Sequence, residues 1–355
     1  MQVASSIVVQ ATVVVVNWNR CNLLERCLAS LTRQRGPSFE VVLVDNGSTD
    51  NSLAMVETQY SGHPRFMLSI VRNSENYGFC KANNQGIARA QGEFVALLNN
   101  DAEAEPDWLA ALLSAFEGRP DLGMAASKIL VYEDTGLIDK VGHQIYPDGQ
   151  NWGRGHGERD AGQFDRVDET LWPDGCAAMY RRAMLDQIGG FDEDLFAYGD
   201  DAELGLRARI AGWGCLYIPT AVVRHHRGST LGQLSMRRVE LIERNRVLLA
   251  LKHFPWSMLW LNAAYFTARI AAGIAASATG RGEPGRFPGW SGKLKLAKAI
   301  WSANLQALMM MPLTLRKRRA FRPLRKLSPA QVRRLLSQHR VPLWTMMAGP
   351  PPPHR

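Results

Sequence analysis

The 355-residue chain is short of several things, and each shortage closes a class of function. Its five cysteines, Cys21, Cys27, Cys80, Cys176 and Cys215, are an odd number without paired metal spacing. That argues against a disulfide scaffold or a zinc module and suits buried thiols in a reducing compartment. No basic region precedes the first apolar run, so TVVVVNW reads as a strand and not as a signal peptide. Clean apolar runs of the roughly 20 residues that cross a bilayer are missing too. Trp256 to Thr279 is interrupted by Arg269, and Ala299 to Leu315 contains Asn304, Gln306 and Pro312. No glycine-rich loop bearing Lys or Arg follows the first strand, which disfavours a triphosphate-holding nucleotidyltransferase. Acids are scarce at the end of the chain: after Gly280 sixteen Lys and Arg face one acid. The formal charge of +9 therefore belongs to the tail. No nucleic-acid-binding motif accompanies it, so nucleic acid is not an expected partner.

Apolar residues make up 46% of the chain, enough for a sizeable core. Thr12 to Val16 and Phe39 to Val44 are continuous β-branched runs, the pattern of strands buried on both faces of a parallel sheet. Met67 to Val71 and Phe94 to Leu98 repeat it, with helical spacing between. The rhythm predicts an open α/β sheet. Ligands of such sheets sit outside the carboxyl ends of the strands, where Asp45 and Asp101 fall. One acid there can accept hydrogen bonds from a base or ribose, and the other can bind a divalent cation that clamps a diphosphate. Each is also ordinary turn or helix-start chemistry.

The densest stretch runs from Trp172 to Thr230. Asp200, Asp201 and Glu203 open a helix predicted to reach Ala211 and stop at Gly212. Close carboxylates repel, which lifts one toward the range of a general base. Phe191, Phe196 and Tyr198 frame them, and His225 and His226 follow a strand-like run from Gly214 to Arg224. The plain alternative is that these acids only start a helix. Between Gly149 and Gln163 the glycine-rich GQNWGRGHGERDAGQ reads as a mobile loop. Trp152, Arg154, His156 and Arg159 there either close over a ligand or are solvated.

TVVVVNWNR, VDNGSTD, NYGFCKANN, LLNND, the Trp172 to Thr230 span and ERNRVLLALKHFP together resemble family 2 glycosyltransferases of the GT-A fold, over roughly residues 10 to 255. Gly153 to Asp165 is similar to the GRGxxDxGQFD loop of bacterial rhamnosyltransferase-like members. The resemblance implies a Rossmann-like open mixed sheet flanked by helices. It also implies inverting transfer from a dTDP- or UDP-linked sugar, rhamnose by first preference, with Mg²⁺ or Mn²⁺ as cofactor. By position, Asp201 would be the catalytic base, supported by Asp200 and Glu203. Asn17, Asn19, Asp45, Asn76, Gly78 and Asn100 would bind the nucleotide. Asp101 and His225 (or His226) would hold the metal. Trp152, Arg154, Trp172, Asp174 and Gly175 would form the acceptor and lid side. Two departures stand out. Asn99 occupies the first acidic position of the metal motif, which keeps open a non-catalytic nucleotide-sugar or glycan-binding protein. Asp200-Asp201 replaces the usual Glu-Asp.

The expected organisation is a GT-A domain over residues 1–235, a basic helical region over 236–348, and a disordered tail over 349–355. Apolar helices punctuated by Trp256, Trp260, Trp290 and Trp301, next to Arg316-Lys317-Arg318-Arg319, read as a membrane-associating appendage on an anionic surface. That places the protein in the cytoplasm, peripheral on the inner face of the cell membrane, with a lipid-linked glycan as acceptor.

Overall fold

The computed structural model describes residues 9–226, 235–278 and 289–348. The expected disordered tail and the end of the histidine stretch, from residue 227 on, lie outside the described residues. Twelve strands are described: β1 (Ala11–Asn17), β2 (Phe39–Asp45), β3 (Met67–Arg72), β4 (Phe94–Leu98), β5 (Ala102–Ala104), β6 (Leu122–Val131), β7 (Ile138–Lys140), β8 (His143–Ile145), β9 (Asn151–Gly153), β10 (Asp168–Glu169), β11 (Ala177–Arg181) and β12 (Gly214–His225). The helices are α1 (Cys21–Thr32), α2 (Ser52–Tyr60), α3 (Gly78–Arg89), α4 (Trp108–Ser114), α5 (Arg182–Ile188), α6 (Asp200–Ile210), α7 (Met236–His253), α8 (Trp256–Ala278), α9 (Gly289–Ala320), α10 (Pro329–Gln338) and α11 (Leu343–Ala348).

The main sheet runs β10-β12-β6-β11-β4-β1-β2-β3, with β5 on β12 and β7 on β6; β8 and β9 form a separate ribbon. β1, β2, β3 and β4 are mutually parallel, whereas β11 is antiparallel to both β4 and β6. The expected mixed sheet is therefore present. From β1 the chain adds β2 and β3 on one side and returns to β4 on the other. That reversal is the switch point at which such sheets open a ligand crevice. The final rung of the β1–β2 ladder pairs Asn17 with Asp45, so both candidate side chains stand at that mouth. β1 and β2 are buried throughout apart from Val16, as their β-branched runs foretold.

One hydrophobic cluster joins sheet residues such as Val14, Val42 and Leu97 to Leu248 and Phe254 around α7, Ala307 and Phe321 around α9, and Val332 and Leu336 of α10. The helical region beyond residue 235 thus shares the core of the sheet. Ala299, Ala303 and Ala307 recur every fourth residue on the buried side of α9, where small side chains let helices approach closely. Trp290, Leu294, Trp301, Leu305 and Leu308 mark its exposed side. Among the described residues, no helix is long and apolar enough to cross a membrane. Arg269, which interrupts α8, is turned inward to Asp148 (2.6 Å) and Glu243 (2.8 Å).

Candidate functional site

The nucleotide-side candidates are linked by hydrogen bonds across the carboxyl ends of β1, β2 and β4. Asn100 Nδ2 donates to Asn17 Oδ1 (2.7 Å), Asn17 Nδ2 to Ser48 Oγ (3.1 Å), and the Ser48 backbone N–H to Asp45 Oδ2 (3.0 Å). Asn19 takes a left-handed conformation, φ 59°, and accepts from the Thr49 N–H at 2.8 Å. Asn46, not foreseen, ties the next turn in: it donates to Asn76 Oδ1 (2.9 Å) and accepts from the Tyr77 N–H (3.1 Å). Gly78 is required where it stands. Its φ is 85°, and a Cβ there would meet the Phe196 ring at 2.5 Å.

The metal-side candidates also meet. His225 Nε2 lies 3.4 Å from Asp101 Oδ1, and its Nδ1 lies 2.8 Å from Asp139 Oδ2. His156 Nδ1 approaches the Asp139 carbonyl at 3.0 Å. His226 stacks on Tyr132 and faces Glu103 at 3.2 Å, so of the two histidines His225 is the one turned to the Asp101 carboxylate. An imidazole gripped from behind by a carboxylate and facing a second carboxylate is a mixed nitrogen–oxygen donor set, which a transition ion accepts more readily than Mg²⁺, an ion that prefers oxygen.

Asp201 stands in a second group. Its Oδ1 accepts from the Ala202 N–H at 2.7 Å, and its Oδ2 lies 3.8 Å from His143 Nε2. The same nitrogen lies 3.4 Å from Asp174 Oδ2, on which Lys140 Nζ also sits. Burial raises the pKa of Asp201, as does Asp174, against the lowering pull of His143 and Lys140. Asp200 is pushed up further, by burial and by Asp201. Burial would raise Asp174 as well, but Lys140 and His143 hold it below the usual carboxylate range. Burial thus disfavours the charged forms of Asp200 and Asp201, while Asp174 stays ionised. His143, Asp174 and Asp201 bring ligand atoms within 4.8 Å of one another, the spacing of a cation site. The Lys140 ammonium already neutralises Asp174 there.

β7 joins the two groups. Successive strand residues point to opposite faces, so Asp139 reaches His225 and Lys140 reaches Asp174. Sequence inspection passed over Asp139, Lys140 and His143. The available signal was a charged pair between Ile138 and Val141.

α6 begins after a strained turn. Phe196, Tyr198 and Gly199 have φ of 66°, 66° and 74°. Asn245 of α7 holds that turn, donating to the carbonyls of Leu195 (3.0 Å), Ala197 (3.0 Å) and Tyr198 (2.6 Å). Its own oxygen accepts from Arg244 Nε at 2.9 Å. The helix ends at Ile210, one residue before the expected Ala211, which caps it, and Gly212 follows at φ 91° as the terminator.

Four expectations change. Glu203 does not join Asp201. It is 1% exposed and bound to Arg207 (2.8 Å), Lys252 (2.6 Å) and His253 (2.8 Å), because its position places it on the α7 side of the helix. Arg154 does not face an acceptor: its guanidinium donates to the Val141 carbonyl and Asp168 and lies over the Phe164 and Tyr217 rings. Trp172 is fully buried against Gly205, where a Cβ would lie 2.1 Å away, and it backs His143 rather than covering a ligand. The Gly149 to Gln163 segment is pinned rather than loose. β9 pairs with β8, and Lys128 clasps Asp160 (2.6 Å) and Asp165 (2.8 Å), which accounts for both aspartates of the GRGHGERDAGQFD run. Trp152 packs with Tyr146 and Val341 and meets His156 edge to face. Gly175 lies where a Cβ would be 3.9 Å from Asp200 Oδ2.

Comparison with known proteins bears on the family and the fold. The family model for glycosyl transferase family 2 matches residues 12–189. An N-acetylglucosaminyl-diphospho-decaprenol L-rhamnosyltransferase of Mycobacterium tuberculosis is 29% identical over 269 residues, 69% of this chain and 85% of that one. An uncharacterized Sinorhizobium fredii protein is 30% identical over 62% of this chain, which spans 25% of its length. The Myxococcus xanthus O-antigen biosynthesis protein RfbC is 30% identical over 62% of this chain, which spans 18% of it. Among solved structures, GalNAc-T7 with UDP, GalNAc and Mn²⁺ superposes with a TM-score of 0.60 at 17% identity, over 75% of this chain and 51% of that one. A Pyrobaculum calidifontis mannosyltransferase with GDP-Man and Mn²⁺ gives 0.55 at 21%, over 84% and 87%. The sheet and its flanking helices are those of a GT-A fold, followed by a C-terminal helical region.

Proposed function

The chain belongs to glycosyl transferase family 2, and from that premise we propose that it transfers a sugar, with inversion, from a nucleotide-diphosphate donor to a cell-surface glycan precursor. The observation that carries this reading is the convergence, through adjacent residues of β7, of the Asp101–His225 pair and the Asp174–His143–Asp201 group. A dTDP- or UDP-sugar would rest on Asn17, Asn19, Asp45, Asn76, Gly78 and Asn100. Asp101 and His225 would hold Mg²⁺ or Mn²⁺. When bound, the cation supplies positive charge to the departing diphosphate.

A sugar hydroxyl is a poor nucleophile, so Asp201 takes its proton as the oxygen attacks the anomeric carbon. The new carbon–oxygen bond forms on the face opposite the breaking bond to the diphosphate, which inverts that carbon. Base and leaving group must lie on opposite sides of the sugar, and the separation of the two groups by β7 supports this reading. Rhamnose as donor sugar and a lipid-linked saccharide as acceptor follow the M. tuberculosis relative, whose name is of that kind. The exposed tryptophans of α8 and α9, with Arg316 and Arg319 beside them, suit an anionic bilayer. That favours a cytoplasmic protein peripheral on the inner face of the cell membrane, where a lipid-linked acceptor is presented.

The test is nucleotide diphosphate release from a panel of nucleotide sugars with a divalent cation and membrane lipid extract. Acceptor-dependent release is expected, falling about 10²–10⁴-fold in Asp201→Asn. Release that survives this substitution removes Asp201 as base. Asn99, which leaves the metal motif one carboxylate short, supports a second reading, a non-catalytic nucleotide-sugar-binding protein. Donor binding without release, across the panel and with extract present, would select it.

A further inference from the structure

His143 has no part in the scheme so far, yet it is the side chain placed between the base and its ionised neighbour. It is 4% exposed. Its backbone N–H donates to Thr170 Oγ1 at 3.2 Å, and its ring stacks on Trp172, centroids 6.1 Å apart and 27° from parallel. Trp172 is in turn wedged against Gly205 of α6, the helix that carries Asp201. The imidazole therefore has little freedom to turn.

Its tautomer follows by elimination. Nδ1 is buried and meets no hydrogen-bond partner among the described residues, whereas Nε2 faces Asp174 Oδ2 at 3.4 Å and Asp201 Oδ2 at 3.8 Å. A proton on Nδ1 would be a buried donor without an acceptor, which folded proteins avoid. A proton on Nε2 has two carboxylates to serve. The doubly protonated ring would again orphan Nδ1–H, in keeping with the direction in which burial moves this histidine, below its ordinary pKa against the pull of Asp201 and Asp174. The charged groups that face it are Asp201, Asp174, Lys140 and Asp139.

We propose that His143 is a positioning residue for Asp201: a neutral imidazole that donates from Nε2 and holds the Asp201 carboxylate ionised and aimed at the acceptor hydroxyl. The inference rests on the reading of Asp201 as base. It completes the support of that carboxylate, whose Oδ1 is already held by the Ala202 N–H. The present separation of 3.8 Å closes to hydrogen-bond length when the acceptor fills the site, as catalytic contacts in free enzymes commonly do. His143 takes no proton from substrate. Asp201 does, and His143 favours its charged form beforehand.

The experiment is the pH profile of kcat/KM for nucleotide diphosphate release by the full chain, wild type against His143→Phe and His143→Gln. Phenylalanine fills the volume and cannot donate; glutamine can. Losing the donor raises the Asp201 pKa, so the acidic limb should move upward by about one unit in His143→Phe, a loss of about tenfold below the limb that recovers at higher pH. His143→Gln should return the limb toward its wild-type position. A limb that stays in place, or a loss equal at every pH, overturns the proposal. Asp201→Asn separates the two readings: activity surviving it defeats the base assignment, whereas an inactive Asp201→Asn with an unmoved His143→Phe limb defeats only the role of His143. If His143→Phe does not fold, the ring nitrogens of ¹⁵N-labelled wild type decide. A proton on Nε2 with bare Nδ1 is expected, and the opposite tautomer overturns the proposal.

Discussion

Asp139 Oδ2 lies 2.8 Å from Nδ1 of His225, across 86 positions of sequence, and leaves Nε2 of that ring facing Asp101. Burial would raise the Asp139 pKa, but Lys140 and bonds from His156 and His225 hold it well below the usual carboxylate range, so it meets the ring as an anion. A carboxylate behind a ligating histidine fixes its tautomer and raises its basicity. Asp139→Asn keeps the shape and removes the charge. Apparent Mn²⁺ affinity should fall about 10–100-fold, read as free Mn²⁺ by electron paramagnetic resonance. Affinity equal to wild type would separate Asp139, and with it His225, from cation binding.

Asn245 makes a different kind of support. One amide donates to three carbonyls of a turn whose backbone is strained at Phe196 and Tyr198, and the turn delivers Asp200 and Asp201. Asn245→Asp places oxygen against those carbonyls, and Asn245→Ala leaves them unmet in the interior. Each should cost about 1–3 kcal/mol of stability in urea unfolding. The aspartate variant should be the worse, and donor turnover should fall more than donor affinity. A stability equal to wild type in both variants would show that the turn holds itself.

The sheet was readable because its strands are buried on both faces and so leave continuous apolar runs, Thr12 to Val16 and Phe39 to Val44 above all. The mouth was readable because strand ends carry short polar turns. Asp139, Lys140 and His143 escaped because β7 and β8 are three residues each, too short for a period to appear, and because their partners Asp174, Asp201 and His225 are remote in sequence, Lys140 and Asp139 reaching theirs across 34 and 86 positions. Glu203 was misplaced for the converse reason. An acid in a first helical turn looks the same whether it faces a cleft or the three cations and donors of Arg207, Lys252 and His253. The basic run was likewise half internal: Lys317 binds Asp192 and Asp194, and Arg318 donates to the Leu251 carbonyl.

His253 gives the fold a defined acid sensitivity. It is fully buried, its Nε2 lies 2.8 Å from Glu203 Oε1, and burial lowers its pKa from 6.5 to about 4 despite the pull of Glu203. The unfolded chain then binds the proton more readily than the folded one between those values, so stability rises with pH across that window. Above pH 6.5 His253 contributes no slope. As the pH falls from 6.5 to about 4 it removes on the order of 3 kcal/mol. Glu203, held well below its ordinary 4.5, adds no slope above that value and loses its own stabilisation from there downward, as the pH falls through its folded pKa. His253→Gln retains a donor to Glu203 but cannot titrate. The difference in unfolding free energy between wild type and variant should therefore shrink or reverse from pH 7 to pH 4.5. A constant difference would show that His253 does not titrate with folding.

The exposed side of α8 and α9 is the place to test membrane attachment, because deleting these helices would strip Met258, Leu259, Ala307 and Met310 from the common core and destabilise the fold. Trp260 is 86% exposed and Trp290 89%, and Trp301 lies on the same side of α9 as Trp290. Trp256 is unsuitable, since Arg318 lies over its ring at 4.5 Å. Replacing Trp260, Trp290 and Trp301 by serine removes aromatic anchors that pack on little of the protein, so the thermal midpoint should stay near that of wild type. Sedimentation with vesicles containing anionic lipid should drop at least about tenfold, since each interfacial side chain withdraws apolar area from water at roughly 25 cal/mol per Å². Arg316→Glu with Arg319→Glu should weaken binding further, by about 1 kcal/mol for each cation lost from the surface, and wild-type binding should fall as salt rises. Neutral vesicles separate the contributions: the tryptophan variant loses binding to both kinds, the arginine variant only to the anionic ones. Equal sedimentation of wild type and both variants would mean that the bilayer, if it is met at all, is met by another face.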